Sequence, residues 1–131
     1  MLRLSKKSDY ALIALKHIAS KGPGGLASAR EIAQTYNLPG DLLAKVMQDL
    51  GRGGLIKSKL GKGGGYQLAK TPDRITLRQV ITAIDGPIHF LACYSGNEAC
   101  DLIRTCTIRK KLRKFESKMA DLFDTITIDD I

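Results

Sequence analysis

Three cysteines have the most reactive side chains of this sequence, and all three lie in one short segment. Cys93, Cys100 and Cys106 are separated by six and five residues, and Gly96 and Asn97 favour turns between the first two. Such a segment can fold around one centre. Zinc usually has four ligands and at least one C-x-x-C pair, which is absent here. Three thiolates suit an iron–sulfur cluster whose remaining position is filled from elsewhere.

Two other uses of these thiols stay open at this point. They could be redox-active without a metal, or they could be inert. Their odd number and their clustering argue against a disulfide framework spread through a secreted fold. His17 and His89 are further candidate ligands, although a single histidine on a helix or in a loop more often has a structural role.

The positive charge is concentrated in the first 80 residues. The 131 residues include 21 Lys or Arg and 13 Asp or Glu, for a net charge of +8. Residues 1–80 contain 14 basic and 5 acidic side chains (+9), whereas residues 81–131 contain 7 and 8 (−1). A concentrated positive field attracts a polyanion, most commonly nucleic acid. Solubility alone is the alternative explanation.

The basic region contains a predicted helix-turn-helix. SDYALIALKHIASKG predicts a helix capped by Ser8, and SAREIAQTYNL predicts another that opens with a reciprocal capping box between Ser28 and Glu31. In PGDLLAKVMQDLGRGGL, an apolar stripe recurs every four residues, at Leu38, Leu42, Val46 and Leu50. Polar side chains on the other face are typical of a helix that contacts base edges in the major groove, and they are Asp41, Lys45, Gln48 and Arg52.

A glycine-rich hairpin follows this helix. LIKSKL and GYQLAK alternate as two short strands, and GKGG between them forms the turn, so residues 55–69 predict the wing of a winged helix. Glycines let the tip approach a phosphate backbone, while Lys57, Lys59 and Lys62 supply charge. The stretch is not a nucleotide-binding P-loop, because Lys62 is followed by glycine rather than Ser or Thr. A tight turn without any contact to DNA is the structural alternative.

The C-terminal half predicts two more helices. TLRQVITAIDG opens with a capping box between Thr76 and Gln79. After the cysteines, a long helix bears apolar residues spaced four, three, four and three apart, which we call the heptad stripe: Ile108, Leu112, Phe115, Met119 and Leu122. Its polar flanks favour pairing with a second copy of the chain over packing within one chain. DTITIDDI predicts a short acidic tail.

The predicted fold is therefore mainly α with a small β-hairpin, a winged helix-turn-helix followed by a long C-terminal dimerisation helix. We expect a DNA-binding domain at 1–85, a cysteine-containing cluster-binding loop at 86–107, and the dimerisation helix with its tail at 108–131. Neither a signal peptide nor an apolar run of membrane-spanning length is seen, so we expect a cytoplasmic protein with no membrane partner.

Taken together, MLRLSKKSDYALIAL, GKGGGYQLAK, TLRQVITAIDG and the cysteine segment resemble the Rrf-two family of bacterial winged-helix transcription regulators. This family includes the iron–sulfur cluster regulator and the nitric-oxide-sensitive repressor. The N-terminal residues are most similar to the branch that regulates the SUF cluster-assembly operon. The resemblance covers nearly the whole chain and implies a homodimer that binds a palindromic operator in double-stranded DNA and holds a [2Fe–2S] or [4Fe–4S] cluster.

The resemblance also implies roles for individual residues. Cys93, Cys100 and Cys106 match the cluster ligands. Residues implied at the DNA lie at the start of the helix-turn-helix, on the recognition helix and on the wing: Ser28, Arg30, Pro39, Gly40, Asp41, Lys45, Gln48, Lys62, Gly63, Gly64 and Tyr66. The polar face of the recognition helix and the charge of the wing add Arg52 and Lys59 to these candidates.

The chain departs from the family pattern at the fourth cluster ligand. The iron–sulfur cluster regulator has a histidine three residues after its last cysteine, where this chain has Arg109. The nitric-oxide-sensitive members use an aspartate of the partner's first helix, a position that Asp9 matches. An acidic residue in the first turn of a helix is also favoured by the helix dipole alone.

These features predict a repressor whose cluster reports iron–sulfur status or oxidative and nitrosative stress. A metal-free thiol switch of the same fold, or a regulator of cysteine metabolism, is the alternative. No nucleophile, general base and orienting group occur together, so we do not expect an enzyme.

Overall fold

The computed structural model describes residues 3–91, 93 and 100–131. These residues contain five α-helices and one two-stranded antiparallel hairpin, which confirms a mainly α winged-helix fold. The elements are α1 (Lys6–Ser20), α2 (Ala29–Tyr36), α3 (Gly40–Arg52), β1 (Ile56–Lys59), β2 (Gly65–Leu68), α4 (Leu77–Asp85) and α5 (Arg109–Thr125). Short 3-10 turns span Pro72–Arg74 and Ile128–Asp130.

Side-chain caps begin three of the helices, with two differences from the predicted caps. Ser5, not Ser8, caps α1, because its hydroxyl accepts a hydrogen bond from the Ser8 amide at 3.1 Å. The predicted box between Thr76 and Gln79 is complete at α4. At α2 the Ser28 hydroxyl accepts from the Glu31 amide at 3.0 Å, but the Glu31 carboxylate binds Lys21 instead of completing the box.

The core lies where α1, α3 and α4 meet beneath the hairpin. Its α3 residues are Leu43, Val46, Met47 and Leu50, so the predicted stripe is wrong at its N-terminal end, where Leu38 and Leu42 are only half-buried. Because an α-helix has 3.6 residues per turn, residues four apart drift around the helix by about 40° at each step. The buried face therefore does not follow a strict four-residue repeat and includes Leu43 and Met47. α1 contributes Ala11, Ala14, Leu15 and Ile18 to the same core.

The hairpin follows α3 directly, as predicted. β1 and β2 pair in register from Ile56 opposite Leu68 to Lys59 opposite Gly65. Tyr66 also exchanges both backbone hydrogen bonds with Ala27, at 2.8 and 3.0 Å, just before α2 begins. The base of the wing is therefore joined to the start of the helix-turn-helix.

α5 packs along α4, and the chain end then returns to the core. The Leu77 amide donates a hydrogen bond to the Ile126 carbonyl at 2.8 Å, and the Ile128 amide donates one to the Ile75 carbonyl at 3.0 Å. Ile128, in the stretch that the sequence indicates only as an acidic tail, is 1% exposed within the core. The described residues contain no helix with the length and apolar character needed to cross a bilayer.

Candidate DNA interface and cysteine segment

The first part of the candidate interface is the start of α2. Ser28 and Arg30 are exposed there, next to the helix N-terminus whose free amides favour an anion. The Glu31 carboxylate turns away from this end because it accepts a hydrogen bond from Lys21 Nζ at 2.7 Å. This bond lowers the pKa of Glu31, against an opposing effect of burial. Glu31 therefore ties α2 to the end of α1.

His17 completes this connection between α1 and α2. Its Nδ1 lies 3.0 Å from the Tyr36 hydroxyl, and its Nε2 lies 3.5 Å from Glu31 Oε2. The rings of His17 and Tyr36 meet edge to face. Through these contacts the His17 side chain joins α1 to α2.

The second part is the solvent face of α3. Pro39 is the N-cap residue, without a side-chain cap, and Gly40 is the first helical residue. Asp41, Lys45 and Gln48 are all exposed along one side of the helix, opposite its buried side. Arg52 is exposed as well, but it forms an ion pair with Asp49 and lies in a groove beside α4. The first three of these side chains are thus available to base edges, while Arg52 has a protein partner.

The third part is the wing. Lys59, Lys62 and Gly63 are exposed, and Gly64 is half-buried below the tip. Tyr66 is half-buried and packs against the core, and its backbone is paired with both Ser58 and Ala27. Of the predicted wing residues, Lys57, Lys59 and Lys62 therefore face solvent, whereas Tyr66 joins the wing to the domain.

The cysteines lie in the segment between α4 and α5. Cys93 and Cys106 are half-buried, Cys100 is exposed, and each is a free thiol. Gly96, Asn97 and the rest of the stretch 94–99, together with residue 92, lie outside the described residues. Among the residues that are described, no three His, Cys, Asp or Glu side chains are gathered as a metal ion would require. The donor chemistry fits a cluster, but in this arrangement the three thiols are not assembled.

A cleft of about 1170 Å³ lies between the start of α1 and the beginning of this segment. The exposed carboxylate of Asp9 borders it, as do His89 and Phe90 just before the cysteines. Arg3 and Lys6 bring positive charge to its rim, and Met119 and Phe123 of α5 form its apolar side. Asp9 thus lies near the base of the cysteine segment of its own chain.

Two pairings around this cleft were not predicted from the sequence. Asp85 Oδ2 accepts hydrogen bonds from the Ser5 and Ser8 hydroxyls, at 2.6 and 2.7 Å, which fixes α1 to the end of α4. Glu116 of α5 is buried, and its Oε1 lies 2.6 Å from His89 Nδ1. Its other oxygen has no hydrogen-bond partner among the described residues. The sequence shows only that the long helix contains a glutamate, and a heptad pattern does not reveal whether that side chain is buried or which residue it contacts.

The chain is similar over its whole length to known transcription regulators. Residues 4–131 match the Rrf2 family, described as iron-dependent transcriptional regulator. The HTH-type transcriptional regulator NsrR of Bacillus licheniformis is 30% identical over 131 residues, which cover 99% of this chain and 92% of that protein. The assignment to the SUF branch stays a prediction, because these matches do not address it.

Solved structures agree with these sequence matches. CymR (YrzC), the global cysteine regulator of B. subtilis, superposes with a TM-score of 0.78 at 30% identity, covering 99% of this chain and 95% of that one. T. potens IscR gives a TM-score of 0.74 at 26% identity, covering 98% and 85%. From the capped helix-turn-helix, the wing and these matches together, the chain belongs to the Rrf2 family of winged-helix transcription regulators.

Proposed function

We propose that this protein is a dimeric DNA-binding repressor that senses through an iron–sulfur cluster and acts in the cytoplasm. The observation that carries this proposal is the set of three free thiols, Cys93, Cys100 and Cys106, between the helix packed on the DNA-binding head and the long C-terminal helix. Membership of a family described as iron-dependent supports it. The regulated genes would be those of iron–sulfur cluster assembly or of stress responses.

The donor set determines which cofactor is proposed. Three thiolates suit an iron–sulfur cluster whose fourth position is filled from elsewhere, whereas a structural zinc site usually includes a C-x-x-C pair, which this sequence lacks. Asp9 of the partner subunit's α1 is the proposed fourth ligand. Its carboxylate is exposed beside the cleft that reaches the cysteine segment, so it is available to another chain. When bound, a [2Fe–2S] or [4Fe–4S] cluster supplies sensitivity to oxidants and to nitric oxide.

Two contacts support a coupling of this segment to the rest of the molecule. The His89–Glu116 contact holds the residues before Cys93 against α5. The hydrogen bonds from Ser5 and Ser8 to Asp85 hold the end of α4 against α1, which packs on α3. Ordering or releasing the cysteine segment would therefore act on both the long helix and the DNA-binding head. This would change the spacing of two heads or the orientation of α3 on DNA.

DNA binding itself is proposed through three surfaces of one chain. The wing lysines and the N-terminus of α2 would contact phosphates, and the polar face of α3 would contact base edges in the major groove. The pairing of Ala27 with Tyr66 supports their joint action, because it connects the wing to the residue before the α2 cap. The excess of basic side chains in residues 1–80 would supply the long-range attraction.

A second function is favoured by one specific observation. The superposition on CymR, named as a global cysteine regulator, is as good as any reported above, at a TM-score of 0.78. Together with thiols that are not gathered among the described residues, it favours a metal-free thiol switch or a cysteine-metabolism regulator as the alternative. In that case the cysteines would respond by forming disulfides, and no iron would be bound.

The test is anaerobic purification followed by the visible absorption spectrum and by analysis of iron and acid-labile sulfide. We expect a coloured protein with comparable amounts of iron and sulfide.

The variant Cys93→Ala should lose both iron and sulfide and should bind operator DNA with altered affinity. Asp9→Ala should lose its cluster in air at least about tenfold faster than the wild type, because substituting even a residue that only orients a metal ligand lowers metal affinity by about that factor. Asp73→Ala, an exposed aspartate away from the cleft, is the matched control.

The alternatives predict other results. A colourless protein without sulfide that still binds DNA, and that forms disulfides with peroxide, would replace the cluster by a thiol switch. An Asp9→Ala variant that keeps its cluster as long as the wild type would remove Asp9 from the site. If Cys93→Ala binds DNA with unchanged affinity and preference, the coupling is absent although the fold stands.

A further inference from the structure

Leu60 projects from the tip of the wing and is 93% exposed, more than any other large apolar side chain among the described residues. The other strongly exposed apolar side chains include Ile108, Phe115 and Leu122, which belong to the heptad stripe of α5. Leu60 has no such neighbours, so nothing in the fold of one chain explains it. An isolated leucine also offers too little area for a protein interface, which typically buries about 800 Å² on each partner.

The tip that holds Leu60 has a defined backbone. The Gly64 amide donates a hydrogen bond to the Gly61 carbonyl at 3.0 Å, which closes the turn. A Cβ on Gly64 would lie 2.2 Å from the Lys59 carbonyl oxygen, so only glycine allows this closure. The base of the wing is fixed by the pair of hydrogen bonds between Ala27 and Tyr66. Leu60 is thus presented on a closed hairpin whose base is anchored to the domain.

Charge on both sides of Leu60 indicates its partner. Lys59 precedes it and Lys62 follows two residues later, and both ammonium groups are exposed. Two cations flanking an apolar side chain match a nucleic-acid groove, which has a phosphate backbone on each edge and sugar and base surfaces between them. If α3 occupies the major groove, the hairpin that follows it directly would lie over the adjoining minor groove. Leucine is one of the side chains that proteins insert there between base pairs.

We propose that Leu60 is a specificity-determining residue that enters the minor groove beside each half-site. This inference rests on the proposed DNA-binding function. The leucine makes apolar contact with the deoxyriboses and with A·T base edges, where the exocyclic amino group of guanine is absent. It therefore favours A·T pairs, and flexible pyrimidine–purine steps, at positions that α3 does not reach. Lys59 and Lys62 bind the phosphates on either side and contribute no sequence preference.

The experiment uses the full-length protein and DNA selected from a random-sequence library by the wild type. Leu60→Ser removes the apolar contact and leaves the charge unchanged, and Leu60→Met is the matched control that keeps an apolar side chain. We expect about tenfold weaker binding for Leu60→Ser, the worth of one buried leucine, and binding within about twofold for Leu60→Met. The slope of log affinity against log salt should stay the same for both, whereas Lys62→Ala should lower it by about 1.

Replacing individual base pairs locates the contact. Inosine·cytosine pairs carry the major-groove pattern of G·C but lack the minor-groove amino group. At the flanking positions the wild type should accept inosine·cytosine in place of A·T and discriminate against G·C, and Leu60→Ser should lose this discrimination. Leu60→Ser binding within twofold of the wild type, with the same sequence preference, would overturn the inference while DNA binding stands. Wild-type protein that selects no DNA would overturn both.

Discussion

Gly65 lies at the base of the wing, where the backbone of β2 passes Ala27. A Cβ at Gly65 would lie 2.8 Å from the Ala27 carbonyl oxygen, and its φ of +152° is one that other residues rarely adopt. We expect Gly65→Ala to lower the free energy of unfolding by about 2 kcal/mol, because both the contact and the dihedral angle are strained. Urea denaturation measures this change, and DNA binding should weaken with it because the wing loses its anchor.

Gly51 in α3 is the matched control for this substitution. It is helical, and a Cβ there would have no neighbouring atom within 4 Å. Gly51→Ala should therefore raise the free energy of unfolding by about 0.5–1 kcal/mol, through helix propensity alone. If both glycines respond alike, the close approach of Gly65 to Ala27 does not exist in solution.

Single residues also show which contacts a sequence can predict. The capping box between Thr76 and Gln79 was predictable because its partners are three residues apart and the helix itself brings them together. The contacts of Asp85 with Ser8, and of His89 with Glu116, join residues 77 and 27 positions apart. Tertiary packing alone places them side by side, so no local pattern marks them. At Glu31 only half of the predicted capping box forms, because its amide binds Ser28 whereas its carboxylate binds Lys21.

At the scale of elements, the helix-turn-helix and the wing were predictable from local signals. Helix caps, the apolar periodicity and the glycine-rich turn each depend on neighbours within a few residues. The final segment was not predictable in the same way. In DTITIDDI the alternation of apolar and polar residues is too short to predict a strand. Only the backbone pairing with Ile75 and Leu77 brings Ile128 into the core. Its acidic composition indicated a solvent-exposed tail, so the contribution of Ile128 to the core was missed.

The C-terminal segment should therefore stabilise the DNA-binding head. Ile128→Ala is expected to lower the free energy of unfolding by about 2–4 kcal/mol, because it removes a fully buried side chain and leaves a cavity. Ile131→Ala, three residues later and about half exposed, should change it by less than about 0.5 kcal/mol. Urea unfolding of both full-length variants makes the comparison. Equal effects would mean that the segment does not pack as described.

For the whole molecule, the solvent side of α5 carries apolar side chains that a partner would cover. Glu116 and Ala120 are buried against the domain, whereas Phe115 is 60% exposed and Ile108 and Leu122 are also exposed. A twofold-symmetric dimer would bring each exposed residue against the same surface of a second copy. It would also place two DNA-binding heads at a fixed separation, which a palindromic operator requires. One copy alone leaves Ile108, Phe115 and Leu122 of the heptad stripe in water, while Leu112 and Met119 are half-buried.

Phe115→Glu tests this arrangement, because it would put a carboxylate into the dimer contact twice. We expect the dissociation constant of the dimer to rise by about a hundredfold or more, measured by sedimentation, since an unpaired charge resists burial. Ser117→Glu introduces the same charge at an exposed position on the other side of α5 and should leave the dimer intact. A wild-type protein that sediments as a monomer, or equal effects of the two substitutions, would contradict the arrangement.

The DNA-binding consequences separate dimerisation from recognition. With one head on the DNA instead of two, Phe115→Glu should contact about half as many phosphates, so the slope of log affinity against log salt should fall to about half of its wild-type value. Affinity for an isolated half-site should be unchanged, because the wing and α3 lie outside the contact. If instead half-site binding is lost as well, α5 must stabilise the head itself, and the heptad stripe is part of one chain's own packing.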